Sequence, residues 1–246
     1  IGVMAPSSRF AREDLESAAT ILKGYGFKVF IHPQCYETHR QSAGTHAQKI
    51  AALHELASDK SINAVFFAAG GNRALHLLEH IDFDLITSNP KIYMGFSDCT
   101  AILNAITART GIVTWHGPTL RKFHVGHAQE KLNIDLLMGN TKIIPLSAAV
   151  ELSSGTAQGS LYGGTLSVYK RLIASKDMPD LTNAILFFED CNEELSRIDA
   201  ELCFMRRSGI FENAAGIIFG QFINMLDTGT PFGFTLEDII REHTDG

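Results

Sequence analysis

The sequence lacks the features that mark three common functional classes. It has 21 lysine and arginine residues against 27 aspartate and glutamate residues, for a net charge of -6. A nucleic-acid backbone is therefore not expected as the main partner, because no basic surplus is available to displace its counterions. No apolar run approaches the roughly 20 residues that a membrane-spanning helix needs, so no membrane partner is expected.

Cysteine is also scarce, and its four copies are scattered without a C-x-x-C pair: Cys35, Cys99, Cys191 and Cys203. This pattern argues against a metal-binding framework and favours a reducing compartment, so we expect a cytoplasmic protein. The chain begins at Ile1 inside an apparent strand. We therefore expect the native start to lie upstream of Ile1.

What is present is an ordinary globular composition, 45% hydrophobic and 20% charged over 246 residues. In the first part of the chain, short apolar runs alternate with helical patterns such as Ala11 to Gly24 and Ala47 to Ala57. The predicted strands begin near Ile1, Phe27, Ile62, Ile92 and Ile112. This alternation predicts an α/β fold with a doubly wound parallel sheet, Rossmann- or flavodoxin-like, over residues 1–122.

The second part has a different pattern. Residues 123–139 read as a polar linker helix, and residues 140–246 as a mixed α+β domain that we expect to continue beyond Gly246. Its predicted strands are Lys142 to Leu152, Ala157 to Leu161, Ala184 to Phe188 and Ala215 to Phe222. Its predicted helices are Leu166 to Ala174, Ile198 to Ser208 and one that starts at Leu236.

The candidate nucleophile is Ser97, at the junction between an apolar strand that ends at Gly95 and a helical pattern that starts after Thr100. A serine on such a turn lies above a helix N-terminus, whose N–H groups and partial positive charge suit attack that creates an oxyanion. The nucleophile-elbow pattern G-x-S-x-G is incomplete, because Cys99 replaces its last glycine. An ordinary turn with a helix cap is the alternative.

The candidate oxyanion donors are the Asp98 amide and the turn Gly70-Gly71-Asn72, which also follows a predicted strand. Ligands of parallel sheets bind at the carboxyl ends of the strands, so both turns are expected to face one pocket. A plain tight turn is the alternative. The third glycine of a dinucleotide fingerprint and the lysine of a P-loop are missing, which argues against nucleotide binding of those kinds.

The candidate orienting carboxylate is Glu189, directly after the apolar strand that ends at Phe188. A carboxylate buried at a strand end requires a partner. An exposed acidic loop is the alternative interpretation, and the neighbouring acids that compete for the role are Asp190, Glu193, Glu194 and Asp199.

The general base is the missing member. Of ten histidines, His116 is the best placed because it ends a predicted strand, although a packing role is the alternative. His243 lies in a helical pattern near the end of the chain. None of the histidines forms an H-E-x-x-H or similar metal-binding pattern.

Several segments, taken in order, resemble the LD-carboxypeptidase family of serine peptidases, which includes the microcin C immunity peptidases. The resembling segments are Ala5-Pro6-Ser7-Ser8, Gly70-Gly71, Ile81 to Ile86, Asn89 to Thr100, Thr114 to Pro118, Gly159 to Leu166, Leu186 to Asp190 and Arg197-Ile198-Asp199. They span essentially the whole chain.

The resemblance implies a Ser–His–Glu triad with Ser97 as nucleophile and Glu189 as the glutamate. It implies oxyanion donors at the Asp98 amide and the Gly-Gly turn near Gly71, with no metal or other cofactor. The family histidine lies in a Phe-Gly-His-like segment, which we expect beyond Gly246. We assign that role neither to His116 nor to His243.

The implied activity is hydrolysis of the amide bond to a C-terminal D-amino acid in murein tetrapeptide, by a homodimer. Microcin-type members instead cleave an amide in a peptidyl nucleotide. A non-catalytic module that binds small peptides is the alternative from another class.

Two departures from the family pattern concern the substrate. The family's Gly-Gly-Asn-Leu is Gly163-Gly164-Thr165-Leu166 here. The turn Gly70-Gly71-Asn72-Arg73 stands where murein-recycling members often have Gly-Gly-Tyr-Gly. Arg73 could hold a substrate carboxylate in a bidentate contact, and a solvated arginine at a helix start is the alternative.

Overall fold

The computed structural model describes residues 1–123, 129–146 and 149–245. It divides into two compact units, Ile1–Ala149 and Val150–Gly246. In the described ranges the longest helices have 13 residues, and none combines the length and the apolarity needed to traverse a bilayer.

The first unit is built on a five-stranded sheet whose spatial order is β2-β1-β3-β4-β5, with every pair parallel. Its strands are β1 (Gly2–Met4), β2 (Phe30–Ile31), β3 (Ala64–Phe67), β4 (Ile92–Gly95) and β5 (Trp115–His116). This is the flavodoxin-like order of a doubly wound sheet. The predicted α/β fold is confirmed.

Helices follow the five strands in turn and bury apolar side chains. They are α1 (Arg12–Gly24), α2 (His46–Ser58), α3 (Phe83–Ser88), α4 (Thr100–Thr110) and α5 (Glu130–Leu137). In α1 the buried residues Leu15, Ala18, Ala19 and Leu22 share one face. The start of α2 is fixed by a capping box between Thr45 and Gln48.

Strand and helix lengths in the first unit differ from the sequence expectation at several points. The strands expected at Phe27 and Ile112 reduce to the two-residue β2 and β5, which lie at the two edges of the sheet. The helix expected after Gly70-Gly71 is a 3-10 helix over Leu75–His80. The sequence reading did not anticipate α3, whose N-terminus is capped by the Asp82 carboxylate.

The second unit holds a three-stranded parallel sheet of order β6-β7-β8. Its elements are β6 (Leu161–Thr165), α6 (Leu166–Tyr169), β7 (Ile185–Cys191), α7 (Leu195–Arg207), β8 (Gly216–Ile223) and α8 (Leu236–Thr244). The fully buried side chains of this unit include Tyr169, Leu186, Phe188, Ile198 and Leu202.

Two strand predictions in the second part were wrong. The described residues of the Lys142–Leu152 stretch contain no strand, and Ile143, Ile144 and Leu146 are exposed there rather than packed on a sheet. The strand predicted over Ala157–Leu161 begins only at Leu161. Within the predicted linker helix 123–139, α5 covers Glu130–Leu137, and residues 124–128 lie outside the described residues. The linker role stays a prediction.

Candidate active site

Ser97 lies on a sharp turn between β4 and α4. It opens a single 3-10 turn, Ser97–Cys99, that continues directly into α4. Its φ of 61° is a left-handed conformation that non-glycine residues rarely adopt and that costs backbone strain. Strain of this kind at the end of a parallel strand is typical of a serine presented for chemistry.

The missing glycine of the elbow pattern has a structural explanation. A Cβ at Gly95 would stand 2.7 Å from Phe67 Cδ2 and 2.8 Å from Cys99 Cβ. Position 95 therefore requires glycine, because a side chain there would clash. Position 99 accepts a side chain: Cys99 points inward, and its Sγ donates to the Ala69 carbonyl at 3.6 Å. Burial raises the pKa of the Cys99 thiol, so this thiol stays protonated and does not compete with Ser97 as a nucleophile.

The glycine pair after β3 packs directly against the serine turn. A Cβ at Gly70 would lie 2.9 Å from Ser97 Cβ and 3.1 Å from its Oγ. Gly71 has a φ of 153°, and a Cβ there would lie 2.4 Å from Ser8 Oγ. Both positions thus require glycine, and bare backbone lies beside the Ser97 hydroxyl, as an oxyanion donor must.

The Asp98 side chain fixes these turns to one another. Its buried carboxylate accepts from the Ser7 hydroxyl, from the Arg73 N–H at 2.7 Å and from the Ala74 N–H at 2.8 Å. Ser8 N–H in turn donates to the Gly70 carbonyl at 3.2 Å. The carboxylate therefore holds the turns that follow β1 and β3 against the turn that follows β4.

A buried lysine adds hydrogen bonds to the loop that carries Ser7. Lys49 of α2 is fully buried, and its Nζ donates to the Ser7 carbonyl at 3.2 Å and to the Ser42 hydroxyl. Burial lowers the pKa of Lys49 to about 8; the positive charge of Arg73 lowers it further, whereas the negative charge of Asp98 opposes the shift.

The side chain of Asn72, the third member of the predicted oxyanion turn, contacts Gln41. It is exposed, and its Oδ1 accepts from Gln41 Nε2 at 3.4 Å. His116 ends β5, and its ring lies beside Phe96, with the ring centres 5.1 Å apart.

Glu189 lies on β7 of the second unit and is only 9% exposed. Its Oε1 accepts a hydrogen bond from the hydroxyl of Thr165, the last residue of β6, at 2.5 Å. Gly220 of β8 lies alongside, because a Cβ there would be 3.3 Å from Glu189 Cβ. The carboxylate is therefore held in a defined orientation, as a residue that orients a catalytic base requires.

The neighbouring acids have other contacts. Asp190 is buried and accepts from the N–H groups of Ser167 and Cys191, both at 2.8 Å. Burial raises its pKa in spite of those hydrogen bonds. Glu193 pairs with Arg197 at 3.4 Å.

His243 of α8 lies in the same unit and is buried. Its Nε2 lies 2.8 Å from Asp199 Oδ1 of α7. This contact joins two helices, which is a structural role for both residues.

Ser97 with Gly71 and Asp98 belongs to the first unit, and Glu189 belongs to the second. The structure packs Gly70, the residue before Gly71, against Ser97. The joint action of Ser97, Gly71, Asp98 and Glu189 stays a prediction. Among residues 1–123, 129–146 and 149–245, no group of three or more His, Cys, Asp or Glu side chains is arranged to hold a metal ion.

Sequence reasoning missed the roles of the Asp98 side chain, Lys49 and the Thr165 hydroxyl. Asp98 and Thr165 stood in segments already singled out, but only their backbone or pattern position was considered. For Lys49 the available signal was a lysine on the apolar face of a predicted helix, four residues before Leu53 and seven before Leu56.

Comparison with known proteins supplies the family. The sequence pattern of the LD-carboxypeptidase N-terminal domain matches residues 1–117, and that of the LD-carboxypeptidase C-terminal domain matches residues 158–246. A probable murein peptide carboxypeptidase of Bacillus subtilis (strain 168) is 32% identical over 250 residues, covering 99% of this chain and 78% of that protein.

Two further similar proteins bear the names of the two kinds of member, a microcin immunity protein and a murein peptide carboxypeptidase. The microcin C7 self-immunity protein MccF of Escherichia coli is 25% identical over 251 residues, covering 88% of this chain and 73% of that protein. The crystal structure of muramoyltetrapeptide carboxypeptidase from Oxalobacter formigenes is 24% identical, has a TM-score of 0.86, and covers 98% of this chain and 82% of that one. At this identity it shows a shared fold. From the two domain matches and the Bacillus relative, the chain belongs to the LD-carboxypeptidase family.

Proposed function

We propose that this protein is a serine peptidase that hydrolyses the amide bond to a C-terminal D-amino acid in murein tetrapeptide. The observation that carries the proposal is the strained Ser97 turn with the Gly70–Gly71 backbone packed against it. The name of the Bacillus relative, a probable murein peptide carboxypeptidase, supports this substrate class.

In this mechanism Ser97 Oγ attacks the carbonyl carbon of the scissile amide. A histidine accepts the serine proton and Glu189 orients its imidazole. The N–H groups of Asp98 and Gly71 stabilise the oxyanion of the tetrahedral intermediate. The proton then passes to the amine of the leaving D-amino acid, and water hydrolyses the acyl-serine that remains.

The test measures release of D-alanine from murein tetrapeptide by the protein expressed from its native gene. Ser97→Ala should reduce release by at least about 10³-fold, because triad serines contribute gains of this order. Ser88→Ala, a change in an exposed serine at the end of α3, is the matched control and should retain activity. Equal release by wild type and Ser97→Ala would refute the proposal.

The second candidate activity is cleavage of a peptidyl nucleotide, favoured by the similarity to a microcin C7 self-immunity protein. Rates on murein tetrapeptide and on an aminoacyl-sulfamoyl adenylate, measured on one preparation, separate the two substrates. A protein that binds either compound without any turnover would instead be the non-catalytic binding module. A cytoplasmic location and a homodimer complete the proposal.

A further inference from the structure

A cavity of about 680 Å³ opens in the first unit beside the loop that follows β3. Its volume is in the range of small-molecule sites. The lining includes Arg40, Arg73, His39 and His46, and contains no carboxylate. Although the chain has a net charge of -6, these cationic and imidazole side chains favour binding of an anionic group in the cavity.

Arg73 ties the cavity to the serine turn. Its backbone N–H donates to the Asp98 carboxylate at 2.7 Å, and Gly70, three residues earlier, is the residue packed on Ser97. Three consecutive peptide links span at most about 11 Å between Cα atoms. Arg73 therefore lies on the same short loop that packs against the Ser97 turn.

The Arg73 guanidinium is held in place by an uncharged partner. Its Nη2 and Nε approach His46 Nε2, at 3.2 and 3.4 Å. Burial, followed by the charge of Arg73, lowers the pKa of His46, so its imidazole is neutral at pH 7 and accepts from the guanidinium. A guanidinium has five N–H donors, so this contact leaves donors for a ligand.

Some other arginines of the chain form ion pairs with acidic side chains. Examples are Arg12 with Glu16, Arg121 with Asp14 and Arg241 with Glu237. By contrast, no carboxylate within the described ranges forms an ion pair with Arg73. Among the described residues its charge is therefore available to an anionic ligand.

We propose that Arg73 and this cavity bind the terminal carboxylate of the peptide substrate. The inference rests on the proposed function, since an enzyme that removes one residue from a carboxyl end must recognise the free carboxylate. A planar guanidinium matches a carboxylate in bidentate geometry, which a lysine does not.

The experiment measures binding rather than turnover, by calorimetry on the Ser97→Ala protein. The ligands are murein tetrapeptide and the same peptide with its terminal carboxylate converted to an amide. Adding Arg73→Gln should weaken tetrapeptide binding about 10- to 100-fold, the effect of losing a charged bidentate contact, and change amide binding by less than about 2-fold. Arg12→Gln, at an exposed arginine, is the matched control and should change neither.

Arg73→Lys keeps the charge without the planar fork and should give an intermediate loss, and thermal unfolding checks that each variant folds. Equal losses for both peptides, or no loss for either, would overturn the proposal. Binding of inorganic phosphate that depends on Arg73 while tetrapeptide binding does not would also overturn it, by assigning the cavity to a phosphate.

The two proposals fail separately. If wild type releases no D-alanine but Arg73→Gln weakens binding of the tetrapeptide and not of its amide, the proposed hydrolysis fails and carboxylate binding stands. If D-alanine is released but the substitution weakens binding of both peptides equally, or of neither, the hydrolysis stands and the role of Arg73 fails.

Discussion

Gly70 and Ser97 lie so close that no side chain fits between them. A Cβ on Gly70 would stand 2.9 Å from the Cβ of Ser97 and 3.1 Å from its Oγ. The residues belong to turns after different strands, β3 and β4, which are neighbours in the parallel sheet. The position of the serine hydroxyl therefore depends on a residue 27 positions earlier in the chain.

Gly70→Ala should lower kcat/KM for D-alanine release by about 10²-fold, because the added methyl displaces either the serine or the glycine turn, and sub-ångström placement governs attack. Steady-state kinetics with thermal unfolding checks this. Gly24→Ala is the matched control, since nothing lies within 4 Å of a Cβ there. Full activity in Gly70→Ala would show that the contact does not position the nucleophile.

Thr165→Val should lower kcat about 10-fold while KM stays nearly constant. The variant loses the hydroxyl that donates to Glu189 Oε1 at 2.5 Å, and partners that orient a catalytic carboxylate contribute on this scale. Thr165→Ser keeps the hydroxyl and should retain most of the activity. If the serine and valine variants behave alike, the hydrogen bond has no part in turnover.

His243→Gln should lower the free energy of unfolding by about 1 to 3 kcal/mol, because it disrupts the buried contact between His243 Nε2 and Asp199. Turnover should remain within about 2-fold of wild type, since this histidine joins α7 to α8. Denaturant titration and D-alanine release measure the two effects. A collapse of turnover with unchanged stability would instead make His243 the missing base.

Lys49 should make stability depend on pH in the alkaline range. Its pKa is about 8 in the folded protein against an ordinary value of 10.5. The folded state therefore disfavours the ammonium, and this cost is fully present below about pH 8. Between about pH 8 and 10.5 the unfolded chain binds more protons, so the cost disappears as pH rises.

The measurement compares wild type with Lys49→Met by denaturant titration at several pH values. The difference in the free energy of unfolding should stay flat well below about pH 8 and then shift by about 3 kcal/mol in favour of wild type as the pH rises past about 10.5. Lys23→Met, an exposed lysine of α1, is the control and should show no such shift. A pH-independent difference for Lys49→Met would contradict the buried, shifted ammonium.

The sequence predicted the elements whose patterns reflect burial. β3 reads Ala-Val-Phe-Phe because all four residues are buried, and parallel strands covered on both faces require such runs. The apolar run of Lys142–Leu152 was misleading for the same reason. Its pattern resembles a strand, but residues 142–146 and 149–152 form none, and the side chains of Ile143 and Ile144 are exposed.

The candidate site was harder to predict, because its positions depend on contacts between distant segments. The turn at Ser97 is visible locally, as a glycine followed two residues later by a serine. The Asp98 side chain is different, since its partners Ser7, Arg73 and Ala74 come from turns after two other strands. Only the strand order β1-β3-β4 brings those turns together, and no local pattern encodes it.

Asp98 binds the loop after β3 through the N–H groups of residues 73 and 74. Every amino acid except proline supplies the same N–H group, so the side chain at position 73 can change while its backbone keeps the same anchor. Under the proposed role of Arg73, substrate choice therefore varies independently of catalytic geometry in this loop. Substitutions at Arg73 are then a route to new peptide preferences that leaves the serine turn intact.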